Sequence, residues 1–164
     1  MPLLRPTMAL GALEEPAFLR RVSLSLPLMA ILAGAGLRSY RAVVLEFGWS
    51  DSWLWIAGTF MGGAFFLFLM ATMHLGNYPV RAWSWRAPLF ALVESATEIA
   101  VSLALTLFGV ERIGSLPATI EDWQGTSMRI LFYRLVGITG FAVILALVST
   151  VVRLLMIPSK PEHP

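Results

Sequence analysis

The chain has 164 residues, 57% of them hydrophobic and only 13% charged, with a net charge of +2 at pH 7 and a mean hydropathy of +0.75. A soluble domain carries roughly twice that charged fraction, and the basic residues flank apolar runs instead of forming the patch that nucleic acid would need, so no nucleic-acid partner is expected. There is no cysteine and there are only two histidines, His74 and His163, which excludes cysteine-ligated metals, disulfides and a bis-histidine haem.

Residues 1–21, with Pro6, Pro16 and the acidic pair Glu14 and Glu15, are expected to form an interfacial N-terminal segment. The first apolar run, 22–37, is short for a crossing, which takes about 20 residues. It reaches a span over about 22–42 only if the helix continues through Arg38, Ser39, Tyr40 and Arg41 towards Leu45. The pair Arg20–Arg21, followed by an apolar stretch and Ala33-Gly34-Ala35, also resembles a cleavable signal segment. The long stretch ahead of the pair and the runs behind it favour a retained helix. Further spans are predicted over 52–73, 87–110 and 130–156, with residues 111–128 as the longest external connection and 157–164 as a polar tail.

The run lengths and the absence of ten-residue alternation indicate helices, not a barrel. The predicted fold is therefore all-α: a polytopic integral membrane protein, one membrane domain built as a four-transmembrane-helix bundle. All six tryptophans, at positions 49, 53, 55, 83, 85 and 123, fall at predicted span ends or in connections. Indole rings prefer that zone, where an apolar body and a polar N–H are both satisfied. Seven basic residues (Arg5, Arg20, Arg21, Arg81, Arg86, Arg153, Lys160) fall on one side and four (Arg38, Arg41, Arg112, Arg129) on the other. The positive-inside rule then puts both termini and the 74–86 connection in the cytoplasm. A compact chain without an Arg/Ser-rich, acid-poor leader points to a bacterial inner membrane.

Glu94 and Glu98 are the only charges in the third run. At 100° per residue they share one face with Ser95, Ser102 and Thr106, opposite Leu92, Ile99, Leu103 and Leu107. Counted from Ala87 at about 1.5 Å per residue, Glu98 sits roughly 16 Å deep, near the bilayer centre. A charge there costs at least ~2.5 kcal/mol unless it is paired or hydrated. Desolvation and the neighbouring carboxylate both favour a proton on one of the two. Arg134 is the best partner for Glu98, lying roughly 10 Å nearer the outside along the rise; of Arg38 and Arg41 at the outer end of the first helix, Arg38 ranks second. The group Glu94, Glu98, Ser102, Arg134 and Arg38 is thus either a buried polar network that locks or docks the bundle, or the lining of an ion path.

Smaller signals remain. Gly58 and Gly62 on the second helix, and Ala30 and Gly34 on the first, have the small-xxx-small spacing that lets helices approach closely, within the bundle or with another chain. Phe60, Phe65, Phe66 and Phe68 are expected to face lipid or partner helices. His74, near Tyr78 at the cytoplasmic edge, is either an interfacial residue or a single contact for a chlorophyll-type pigment or a quinone. No HExxH, phosphate-cradling glycine loop or serine–histidine arrangement is present, so nothing recommends catalysis.

The leading expectation is an accessory subunit of a larger membrane complex, with membrane lipids and other transmembrane subunits, or further copies of itself, as partners. The alternative is a small proton- or cation-coupled transporter using Glu98 and Glu94. A lipid- or cofactor-handling enzyme is a weaker third.

Overall fold

A computed structural model of the chain describes residues 25–47, 52–113 and 116–156. The expected interfacial segment over 1–21, the tail over 157–164, and Trp49 and His163 lie outside these residues. Four helices follow in order: α1 (Leu26–Phe47), α2 (Trp53–Gly76), α3 (Trp83–Leu107) and α4 (Ile120–Met156). A 3-10 turn, Val80–Ala82, feeds α3, and a two-residue antiparallel pair, β1 (Arg112–Ile113) with β2 (Leu116–Pro117), precedes α4.

Among the described residues three segments are long and apolar enough to cross a membrane: Trp53–Gly76, Val80–Leu107 and Ile120–Val152. Helix α1 does continue through Arg38 and Arg41 to Phe47, but it is not among those three.

The helix ends follow from local chemistry. Ser52 precedes α2 in an extended conformation, and its carbonyl accepts from the Ile56 N–H at 3.1 Å. At the other end of α2 the Asn77 side chain donates to the Met73 carbonyl, and the Trp83 indole N–H reaches back to the Tyr78 carbonyl at 3.0 Å, pinning the tight corner into α3. Pro88 sits in the second turn of α3, where it takes one N–H out of the helical ladder.

Two predicted boundaries are displaced. The third helix starts at Trp83, ahead of the predicted 87, because Arg86 is no barrier: its guanidinium lies 3.4 Å from the centre of the Tyr78 ring and 4.5 Å from that of Trp85. The fourth starts at Ile120, ahead of the predicted 130, so Trp123 lies in a helix and the connection is shorter than expected. The cause is a reciprocal cap. The Thr119 N–H and hydroxyl donate to the Asp122 carboxylate at 3.1 and 2.6 Å, and the Asp122 N–H returns to the Thr119 hydroxyl at 3.3 Å.

Helix α3 is the hub, packing along α1 on one side and α4 on the other, with α2 lying mainly against α1. The core is fullest at the end of the bundle where α2 turns into α3. There Met29, Ala30 and Ala33 of α1 meet Leu75 of α2, Phe90 and Ala91 of α3, and Ile138 and Ala142 of α4. Small residues opposite large ones allow close approach. Phe60, Phe65, Val136, Val143, Ile144 and Leu147 face outward from α2 and α4, as lipid-covered side chains would.

Candidate functional site

The polar stripe of α3 points inward, as its phase requires. Glu94, Ser95, Glu98, Ser102 and Thr106 are all buried, and both glutamates are fully so. Two of these hydroxyls turn back onto their own helix: Ser95 donates to the Ala91 carbonyl at 2.6 Å and Thr106 to that of Ser102 at 2.9 Å. The carboxylates therefore look to other elements for partners.

Arg134 meets Glu98 directly, with no water needed. Its Nε donates to Oε2 at 3.0 Å, and a terminal nitrogen contacts the same oxygen at 3.0 Å. The same Nε lies 3.6 Å from a Glu94 oxygen. On the opposite side, Arg41 donates to Glu98 Oε1 at 3.2 Å. Arg38, ranked ahead of Arg41 on the sequence, is farther away at 3.9 Å. Its main partner is Glu111, which accepts from Nε at 3.1 Å and from a terminal nitrogen of the same guanidinium.

Glu111 is the member that sequence reasoning missed. It lies beyond α3, and the turn that closes α3 folds it back over α1. Gly109 takes φ +70, a left-handed conformation that favours glycine. The Gly109 N–H bonds to the Thr106 carbonyl and the Val110 N–H to that of Leu105. These are the two reverse bonds of a Schellman cap. The Leu107-Phe108-Gly109 ending, with a glutamate two residues on, was the available signal. Burial pushes the Glu111 carboxyl up from its ordinary value, and the Arg38 charge and hydrogen bond pull it partly back.

Three arginines and three glutamates thus form one cluster tying α1, α3, the loop after α3 and α4. Their formal charges sum to zero. Glu94 is its weakest link, since neither of its oxygens meets a hydrogen-bond donor.

Three members of the cluster, Arg38, Arg41 and Glu111, line a partly open cavity of about 270 Å³, together with Thr59, Phe60, Ser102, Trp123 and Thr126. A second cavity, about 380 Å³, lies between α3 and α4 at the other end, with an apolar lining that includes Ala87, Ala142 and Leu147. Buried Phe90, Ala91 and Ile138 fill the core at that apolar end. The α2 hydroxyls join neither a path nor the cluster by donation, because Thr59 and Thr72 donate to the Trp55 and Phe68 carbonyls of their own helix.

The other expected residues fall as follows. Gly34 lies directly against α3: an added Cβ would press on the Glu94 carbonyl, with the Glu98 nitrogen and Thr97 Cβ each 3.1 Å away. Ala30 is fully buried in the same α1 face. Gly62 abuts the Tyr40 hydroxyl, whereas a side chain at Gly58 would meet nothing within 4 Å. His74 is 1% exposed, stacked on Phe90 at 5.7 Å and near Tyr78 at 5.2 Å, with no partner for Nε2. It is enclosed by protein and lines neither cavity described above. Among the described residues no group of three or more histidine, aspartate and glutamate side chains is placed to hold a metal ion.

No protein-family model matches the chain, and no curated protein or solved structure is significantly similar to it.

Proposed function

We propose that the chain is a four-span membrane protein of a bacterial inner membrane, with both termini cytoplasmic, that acts as an accessory subunit binding and stabilising other transmembrane subunits. One observation carries this reading: the buried charges close on themselves. Arg38, Arg41 and Arg134 pair with Glu98 and Glu111 within the bundle, with Glu94 3.6 Å from Arg134, and a cluster of apolar side chains fills the core beyond them. Such a cluster fixes helix register, a use for which buried ionic groups are well suited. A side chain at Gly58 would meet nothing within 4 Å among the described residues, which leaves room there for a partner helix.

The test has two parts. Reporter fusions after His74 and at the C-terminus should read cytoplasm, and one after Trp123 the outside; a C-terminus outside ends the four-span reading. Mild solubilisation should recover the chain with partner subunits. Gly58→Leu, whose Cβ would meet nothing within 4 Å among the described residues, should release those partners while the chain stays folded. Recovery of the wild type as a lone monomer overturns the subunit reading.

The two donor-free oxygens of Glu94 favour a second reading, proton- or cation-coupled transport. That reading requires a flux from the purified chain in vesicles that Glu98→Gln or Glu94→Gln abolishes. The subunit reading requires none.

A further inference from the structure

We propose that the cavity beside Arg41 binds a phosphate group, held by the Arg41 guanidinium and by hydroxyls from α3 and α4. The inference starts from how unevenly the three arginines are committed. Arg38 gives two hydrogen bonds to Glu111. Arg134 gives two nitrogens to Glu98 and leans on Glu94. Among the described residues Arg41 makes one hydrogen bond, through one terminal nitrogen, to a carboxylate that Arg134 already holds by its other oxygen, and its guanidinium lies 5.4 Å from the centre of the Phe60 ring. Its side chain is 25% exposed against 9% for Arg38, and it lines the cavity.

A guanidinium offers five N–H donors in a planar fork that matches phosphate oxygens. Ser102 of α3 and Thr126 of α4 bring hydroxyls to the same cavity, and the carboxylate that also lines it, Glu111, is engaged by Arg38, so an oxyanion with several oxygens meets donors from three helices. Phe60 and Trp123 give the cavity an apolar rim. Phe60 is 61% exposed, so the rim faces outward on the α2 side. Helices α2 and α4 meet where the Phe68 and Phe141 rings lie 4.6 Å apart, and the cavity opens between them beyond that contact. Thr59 lies only about 9 Å along α2 from Trp53, counted on the helical rise. In the membrane reading above, the Ala118 and Trp123 side of the lining, at the start of α4, is nearest the headgroup zone, where lipid phosphates lie. A lipid phosphodiester and a free phosphate share this chemistry, and the experiment separates them.

The full chain is purified in a neutral, phosphate-free detergent and titrated by native mass spectrometry. The probes are phosphatidylglycerol, diacylglycerol with the same acyl chains, and inorganic phosphate. One phosphatidylglycerol is expected to bind and diacylglycerol is not. Arg41→Gln should weaken binding by about tenfold or more, the loss typical of a charge-assisted hydrogen bond. Arg81→Gln, an exposed arginine outside the cavity, should leave it unchanged. Thr59→Phe fills the cavity without touching an ion pair and should abolish binding; it decides the matter alone if Arg41→Gln fails to fold. Displacement of the lipid by inorganic phosphate assigns the site to free phosphate, and failure to displace assigns it to lipid. Equal binding of diacylglycerol, wild-type binding by the folded variants, or no adduct with either phosphate probe overturns the proposal.

Discussion

The two ends of the bundle are held by different physics. At one end Arg38, Arg41 and Arg134 grip Glu98 and Glu111 through directional, charge-assisted contacts. At the other, Met29, Leu75, Phe90 and Ile138 interdigitate with alanines, and the buried His74 ring stacks on Phe90. In lipid the apolar end gains nothing from excluding water, so only its close packing favours the folded bundle. The charged end gains strong attraction in a low dielectric but bears a heavy desolvation cost. The apolar end thus sets how tightly helices meet, and the charged end sets which residues must face each other.

The sharpest way to break both ends at once is Gly34→Leu, because Gly34 is where α1 crosses α3 between them. Added bulk against the Glu94 backbone cannot be relieved by a rotamer change, so the cost exceeds the ~1–3 kcal/mol usual for overpacking. No monodisperse folded protein is expected on size exclusion in detergent; a normal peak would mean that the crossing is looser than described.

Next in size is Arg134→Leu, which strands buried carboxylates and should cost about 3–5 kcal/mol in unfolding experiments. Glu98→Gln should cost less, since an amide oxygen still accepts a bond from Arg134. Identical losses in the two variants would remove the ion pair from the account.

Phe90→Ala attacks only the apolar end. Its cost should be about 2 kcal/mol, the cavity part of a large-to-small change, since a lipid-embedded reference state adds no transfer from water. That loss should be the same at neutral and acid pH, and a pH-dependent loss would show that the two ends are coupled.

The smallest effect belongs to Glu111. Its carboxyl holds a proton more tightly folded than unfolded, so it favours the fold while protonated. That contribution fades as pH rises from the ordinary carboxylate range through the raised value. Comparing unfolding across that interval, Glu111→Gln should show a flatter pH dependence than the wild type. A steeper one would mean that Arg38 outweighs burial.

The inward stripe on α3 was legible because helical phase alone places Glu94, Glu98, Ser102 and Thr106 on one face. The Glu98–Arg134 pair followed from rise per residue. The boundaries were harder, because uncharged runs are a poor guide to helix ends. Arg86 continues a helix by stacking on aromatic rings, and Thr119 with Asp122 starts one inside a stretch that looked like loop. Glu111 was hidden for a different reason: its position depends on a left-handed turn at Gly109, and periodicity ends where that turn begins. The order of Arg38 and Arg41 was beyond the sequence, since it depends on side-chain reach across a helix crossing.

The Arg41–Glu98 contact joins residues 57 positions apart, which has a consequence for biogenesis. Helix α1 carries two arginines, and Arg41 draws its counter-charge from α3. At ribosomal rates of about 5–20 residues per second, that counter-charge arrives roughly 3–11 s later. During that interval Arg41 of the nascent chain has no contact with Glu98. The pair forms only once α3 has emerged, so the second half of the translation product completes the charge pairing of the first.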